Sequence, residues 1–498
     1  MFSQCQSGKD VDMSVLVALL VVTVFSIIPA LVSKISNRRV HTSDSSPPRP
    51  PVVKGTDLLK IFPSLCRKDP EAILAYLYNK FGSVFTVRFL WKRITFLVGH
   101  EVSVPFFHAL DSEISQGNFS EFTVPMFGKG HGYAVDQATR AEQSRFVMDS
   151  LRPAQLRSYV DPMLREVEEY FAKWGDEGVV DLKHEFTQVL MLIASRCLLG
   201  SEVRDKIFGE FYALFADIEG GVNVVSFLFP YIPVPVNNRR DRAQAKLAEI
   251  LCAIVRSRKS CNRVEDDMLQ RLIDSRYRDG RPTTEGEVSG MIIGLLFAGK
   301  HTSAIASSWT GACLLTHPNS LRAALEEQKQ VMRKYKDGKV DWNALSDMEI
   351  LHSCIKEAGR MYPAAPLLLR KALQSFIVQT KEGNEYDIPA GDTLAHPVIL
   401  TSKLSHVYKD PEMFDPDRFR YGREEDKVGG RHSYTVFGGG RHACAGEAYG
   451  FMQIKIIWSH LLRNFELKLT SSFPKKDWSK FVVEPKCKIM VSYKRCRM

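Results

Sequence analysis

Hydrophobic and polar positions change rhythm several times along the chain. Val15 to Val32 is apolar except for Thr23, Ser26 and Pro29, close to the shortest run that crosses a bilayer. Ser83 to Gly99 (SVFTVRFLWKRITFLVG) holds two β-rich runs around a basic turn, which predicts a hairpin. From Pro153 to Tyr277 apolar residues recur mainly at helical spacing, as in VDPMLREVEEYFAKWG. The proline-rich stretch Phe229 to Asn238 reads as a loop within that region. Thr283 to Leu315 predicts a long apolar helix with acidic residues in its first turn. Strand-like pieces return at Pro366–Ala372, Phe376–Thr380 and Glu385–Ala390, and Gly446 to Phe465 reads as a helix. The fold class is therefore mainly α, an α+β chain in which helix dominates over small sheets. No G-x-G-x-x-G follows a strand, which argues against a bound dinucleotide.

The apolar run sets the domain plan. Lys34, Arg38 and Arg39 follow it, whereas Lys9, Asp10 and Asp12 before it are mixed in sign. The positive-inside rule then places everything downstream in the cytosol. A cleaved signal peptide would carry its positive charge first and end at a small-residue site, so the run reads as an uncleaved anchor. Residues 1–14 become a lumenal terminus, 15–32 a transmembrane anchor and 33–54 a basic, proline-rich hinge. Ser45–Pro51 (SSPPRPP) acts there as a stiff spacer. Residues 55–498 form one large domain. The formal charge, 67 − 57 = +10, is dispersed; it suits an anionic membrane surface or an acidic protein partner rather than nucleic acid. Ten scattered cysteines with no C-x-x-C pair argue for reduced thiols facing the cytosol.

One cysteine stands apart. Cys444 lies in FGGGRHACAG, Phe437 to Gly446. The glycines let backbone approach a flat ligand without Cβ clashes. The following helix offers unpaired N–H groups and a dipole to a thiolate. Arg441 and His442 can meet anionic groups. A buried inert cysteine beside a turn needs one glycine, not this decapeptide, so a thiolate metal ligand is the better reading. Glu357 and Arg360 lie three apart on one helix face, and Arg418 offers a third member. A charged trio is costly to bury unless fully paired, so its value is architectural; alone, the pair would read as an ordinary surface contact. In AGKHTS, Ala298 and Gly299 are small enough for a planar ligand to lie against a helix. Thr302 can bond the carbonyl one turn back and bend the helix. His301 and Thr302 together point to proton delivery; without Cys444 they would read as core residues.

These pieces together resemble the haem-thiolate monooxygenases, the cytochrome P-450 superfamily, over nearly the whole chain. FGGGRHACAG, E-x-x-R at Glu357–Arg360, PDRF at Pro416–Phe419 and AGKHTS are similar to its signatures. A histidine before the helix threonine, with PMFGKG and EQSRF, resembles the sterol 14α-demethylase family. DMLQRLIDSRYRDGRPTTEGEV, GREEDK and QIKIIWSHLLRNFEL are similar to its plant branch. The resemblance implies the P-450 fold, a helical prism around haem b, and an endoplasmic reticulum membrane location. It implies Cys444 as axial thiolate to the haem iron and Thr302 with His301 as the proton relay. Arg145, Arg370, His442 and Tyr133 would hold the propionates, with Gly299 at the haem edge. Electrons would come from an NADPH-cytochrome reductase, a flavoprotein docking on the basic proximal surface.

The chain departs from the family where substrate is held. That stretch usually reads as a tyrosine, then F-x-x-P-x-F-G-x-G-V-x-[FY]-D. Here it is SEFTVPMFGKGHGYAV, with Phe122, Met126 and Phe127 kept, Ser120 at the tyrosine, His131 at the valine and Ala134 at the aspartate. Ala364 and Ala365 replace bulkier residues, His396 enters near the expected cavity, and Ala298 completes its helix side. Ala443 and Ala445 beside the cysteine are also smaller than usual. These changes predict an altered ligand pose. The expected activity is oxygen insertion into a β-amyrin-type triterpenoid; the alternative is 14α-demethylation of obtusifoliol. A haem-thiolate isomerase or dehydratase working without O2 is disfavoured by Thr302.

Overall fold

The computed structural model describes residues 47–89, 92–116, 121–223, 226, 229–261, 264–335, 339–480 and 482–496. The lumenal terminus, the anchor and most of the hinge read from the sequence lie outside the described residues.

The expected hairpin is β1 (Val84–Phe89) and β2 (Lys92–Leu97), antiparallel from Val84 opposite Leu97 to Phe89 opposite Lys92. It continues as a five-stranded sheet with β3 (Ile114–Ser115), β5 (Leu368–Ala372) and β6 (Thr393–His396), in the order β1-β2-β6-β5-β3. A second sheet has the order β4-β8-β7, from β4 (Glu177–Asp181), β7 (Phe465–Leu469) and β8 (Met490–Arg495). β4 breaks the region read as mainly helical, because β8, more than 300 residues later in the chain, supplies its ladder.

Ten helices carry the argument: α1 (His100–His108), α2 (Val124–Phe127), α3 (Gln137–Ser150), α4 (Pro153–Phe171), α5 (Leu182–Ala194), α6 (Phe208–Gly220), α7 (Pro235–Ser260), α8 (Glu285–Thr316), α9 (Glu349–Met361) and α10 (Glu447–Asn464). α7 begins inside the stretch expected to be loop, since Pro235 occupies its first turn, where a missing N–H costs nothing. α8 starts where the acidic turn predicts. Thr284 accepts from the Glu287 N–H, and Glu287 reaches back to the Thr284 N–H, a reciprocal cap. This helix is long and apolar enough to cross a membrane, but most of it is buried inside the protein. It is the central core helix, packed on α5, α7, α9 and α10. The main core gathers around it, and two smaller clusters lie under the first sheet.

Candidate active site

The glycine-rich loop is held open by backbone geometry. Gly438 and Gly440 sit at φ +73° and +61°, the left-handed region that favours glycine. A Cβ on Gly440 would lie 2.0 Å from the Phe107 carbonyl oxygen, so α1 and the loop touch backbone to backbone. The Cys444 N–H donates to the Phe437 carbonyl at 2.8 Å, folding the thiol over its own loop. Cys444 has an open flank. Burial on its other side pushes the thiol pKa up; the Gly446 N–H pulls it down, and Glu447 adds to the rise. The thiolate expected from the helix dipole alone therefore loses to desolvation in the bare protein, and a metal cation is what would reverse the balance. A depression of about 490 Å³ opens beside it, lined among others by Trp342, His352, Phe451 and Lys455.

Behind the loop the charged trio is fully buried. Arg360 Nε and Nη2 donate to the two Glu357 oxygens at 2.7 and 2.8 Å, and Arg418 Nε donates to Oε1 at 3.0 Å. Arg360 also donates to the carbonyls of Ser402 and Pro411, and Arg418 to that of Lys409. A fourth member, Glu425, takes Arg418 Nη1 at 2.5 Å. Burial opposes its ionisation, but Arg423 and Arg418 hold its pKa below the usual range.

On α8, Ala298 is exposed in a helix otherwise mostly buried, and nothing lies within 4 Å of a Cβ built on Gly299. This is open room on the face expected to meet a planar ligand. Thr302 Oγ1 donates to the Ala298 carbonyl at 2.6 Å. His301 turns elsewhere: its Nε2 lies 3.7 Å from Glu484 Oε2. Burial lowers its pKa despite Glu219 and Glu484, so the ring is neutral at pH 7. Among the described residues, no hydrogen bond links His301 to Thr302.

The anion-binding set divides. Tyr133 donates to Gln116 Oε1 at 2.6 Å and lies under the Arg140 guanidinium, 4.8 Å from its ring centre. His442 Nε2 is 2.6 Å from Asp111 Oδ1. Arg370 is desolvated, which lowers its pKa despite Tyr133 and Asp111. Arg145 does not join them. It pairs with Glu142 and Asp149 and donates to the Arg276 carbonyl, because it projects from α3 towards the loop before α8. The arginine beside Tyr133 is Arg140 instead. It lies in the first turn of α3, where the dipole disfavours a cation, and that is the signal sequence reasoning could have used. No pattern points to Asp111 or Gln116.

The pocket residues divide as well. Phe122 and Phe127 are half-buried, and Phe127 lies 5.6 Å from the Phe297 ring of α8. Ala134 and Ala365 are half-buried; Ser120 lies outside the described residues. Met126 is wholly inside the main core, so it packs the short helix down rather than lining a cavity. His396 is corrected too. It is fully buried, with Nδ1 2.9 Å from Ser103 Oγ and Nε2 3.0 Å from Thr435 Oγ1, a strut joining α1, β6 and the approach to the cysteine loop.

A family model described as Cytochrome P450 matches residues 48–492. The chain is 50% identical over 449 residues to an obtusifoliol 14-alpha demethylase of Sorghum bicolor, covering 90% of this chain and 91% of that protein. It is 49% identical over 455 residues to a sterol 14-demethylase of Arabidopsis thaliana, 91% and 93% covered. To a human lanosterol 14-alpha demethylase it is 33% identical, 86% and 83% covered. The chain belongs to the cytochrome P450 family, in the plant branch of its sterol 14-demethylases. The P450 fold extends to a solved structure, retinoic acid bound cyanobacterial CYP120A1, at 22% identity, TM-score 0.77, with 91% of this chain and 100% of that one covered.

The P450 is thus a monooxygenase with a haem cofactor, and the site fits that group. Arg370 Nε is buried without a partner, and Arg370 has no carboxylate within ion-pair reach among the described residues. A buried guanidinium in that state lacks an anion, and a haem carboxylate supplies one. The open face at Ala298 and Gly299 and the thiol of Cys444 complete the set.

Proposed function

We propose that the protein is an obtusifoliol 14α-demethylase, removing a sterol methyl group in three oxidations with electrons from an NADPH-cytochrome reductase. The observation that carries this is the identity of about half of all positions, over nine-tenths of both chains, with plant demethylases of obtusifoliol and sterols. The triterpenoid expectation gives way to it. The relatives at about half identity are named for obtusifoliol and sterol demethylation, and His396, one of the two new histidines behind that expectation, is a structural strut.

In this reading the Cys444 thiolate would hold the haem iron, and Arg370, Arg140, His442 and Tyr133 would hold the haem carboxylates. Haem, when bound, supplies O2 activation and oxygen insertion; the chain positions, desolvates and delivers protons. Thr302 holds a hydroxyl on the cavity side of α8 whose lone pairs are free to accept from water while its proton rests on Ala298. His301, beside Glu484, supplies protons from the opposite flank. Phe127 and Phe297 give the ring system an apolar wall. Electrons enter from the Cys444 side, where the reductase docks. The apolar segment Val15–Val32 anchors the enzyme in the endoplasmic reticulum with this domain in the cytosol.

The test is expression of the full chain with a plant reductase in a strain lacking its own demethylase, fed obtusifoliol and β-amyrin separately. The expected result is 14-demethylated sterol and rescued growth. Oxidised β-amyrin with untouched obtusifoliol would reverse the assignment.

A further inference from the structure

His131 is half-buried, titratable and without a role in the scheme above. Its surroundings determine which ring nitrogen carries the proton. Gln143 Nε2 donates to the Gly130 carbonyl at 2.8 Å. A carbonyl only accepts, so the Gln143 amide has one possible orientation and its Oε1 faces His131 Nδ1 at 3.0 Å. Nδ1 must therefore donate. The second Gln143 N–H is committed as well, to the Tyr277 hydroxyl at 3.2 Å. Tyr277 passes its own proton to Glu287 Oε1 at 2.8 Å, and Arg281 and the Thr284 N–H hold that carboxylate. Every donor from His131 through Gln143 and Tyr277 is thus directed towards Glu287, and Arg281 donates to that carboxylate from its other side. Burial lowers the pKa of His131 against the pull of Gln143, so the ring is neutral and Nε2 bears a lone pair.

That lone pair lies against α8. A Cβ on Gly290 would sit 2.7 Å from His131 Cβ, and one on Gly294 would sit 3.2 Å from Nε2. The two glycines, one turn apart, form the slot the ring occupies. Nε2 has no hydrogen-bond partner among the described residues, and the His131 side chain is half-buried. Gly294 is one turn before exposed Ala298 and two turns before Thr302, about 12 Å along the axis. Phe127, 6.2 Å from the His131 ring, makes the remaining wall apolar.

We infer that His131 Nε2 is the acceptor for the hydroxyl of a polycyclic alcohol lying along α8, a subsite that rests on the sterol reading above. The alcohol must donate. A ketone or ether at that position would strip water from Nε2 and return nothing, and buried sites reject such analogues strongly. Gln143 is a positioning residue, because it sets the tautomer.

The experiment uses the full-length holoenzyme and reads ligand affinity from the change in haem absorbance. The probes are obtusifoliol, its 3-O-methyl ether and its 3-ketone, with β-amyrin and its methyl ether as a second pair. Wild type should bind the alcohol about tenfold tighter than the ether or ketone. His131→Phe, with an intact reduced-CO spectrum, should reduce that preference to within about twofold, and His131→Gln, which keeps an acceptor, should restore part of it. Gln143→Leu frees the tautomer and should improve the ketone relative to the ether. An alcohol-to-ether ratio unchanged in His131→Phe, or absent from wild type with both pairs, overturns the subsite. Obtusifoliol that binds with the expected ratio but is never demethylated overturns the sterol reading and leaves the subsite standing.

Discussion

Thr302 commits its proton to the Ala298 carbonyl at 2.6 Å, so in the resting enzyme its oxygen faces the cavity as an acceptor. A relay needs the hydroxyl to take a proton from one side and give one to the other, and a rotating Oγ between carbonyl and water does this. Thr302→Ala keeps the helix, since Ala has the higher propensity, and leaves the apolar walls alone. We expect substrate binding within about twofold of wild type, but product per NADPH lower by about tenfold or more, with the balance appearing as peroxide or water. The measurement is NADPH consumed against product and peroxide formed. Unchanged coupling would place the relay on another group. Adjacent side chains diverge by about 100° around a helix, which is why His301 and Thr302 face different partners although a linear motif joins them. The cysteine, the buried trio and Thr302 were legible because each sits in a tight local pattern. Arg140 rather than Arg145 stands beside Tyr133, because a helix face, not a motif, decides which arginine of α3 points that way. Glu484, Asp111 and Gln116 come from remote segments, and no spacing announces them.

At the scale of elements, Glu357 of α9 is the carboxylate that Arg360 and Arg418 share, and the energetics are asymmetric. Removing Arg418 leaves Glu357 with one cationic partner instead of two and Glu425 with Arg423 as its remaining cation. Breaking such a buried pair costs about 3–5 kcal/mol. Glu425→Gln keeps an acceptor for Arg418 and leaves its ion pair with Glu357 in place, so it should cost about 1–2 kcal/mol. Thermal unfolding of the holoprotein with haem absorbance as readout should show Arg418→Ala losing haem on purification and Glu425→Gln retaining it. Equal behaviour of the two would mean that charge balance is not what holds α9. Long elements followed from pattern: the hairpin, α8 and α10 each carry an uninterrupted period and, for α8, a reciprocal cap. β4 did not, because five residues read locally as part of a helical region become a strand only when β8 and β7 supply the ladder.

For the whole molecule, the buried histidines make acid the weak side. Burial pushes His396 down to about 3, reinforced by His432 and Arg370 although the Leu97 carbonyl opposes it. Burial pushes His460 down to about 4, reinforced by Arg463 and Arg495. The sign follows from proton counting. Above the ordinary value of 6.5 neither folded nor unfolded chain holds these protons, and stability is indifferent to them. Between 6.5 and the depressed values the unfolded chain binds two protons that the folded chain refuses. Stability then falls by about 1.4 kcal/mol per pH unit for each histidine, or about 2.8 for the pair. Two units of acidification remove roughly 5–6 kcal/mol, the size of a whole domain's margin. The melting temperature should be flat from pH 8 to about 6.5 and drop steeply towards pH 4.5. His460 separates this from other acid effects. Its ring stacks on Phe171 at 5.6 Å and its side chain makes no hydrogen bond among the described residues. His460→Phe should therefore fold and match wild type near pH 7.5, then lose roughly half of the acid slope that the two histidines contribute. An identical slope in His460→Phe would show that His460 is protonated in the folded enzyme, and that the cluster around Phe171 and Phe465 admits water.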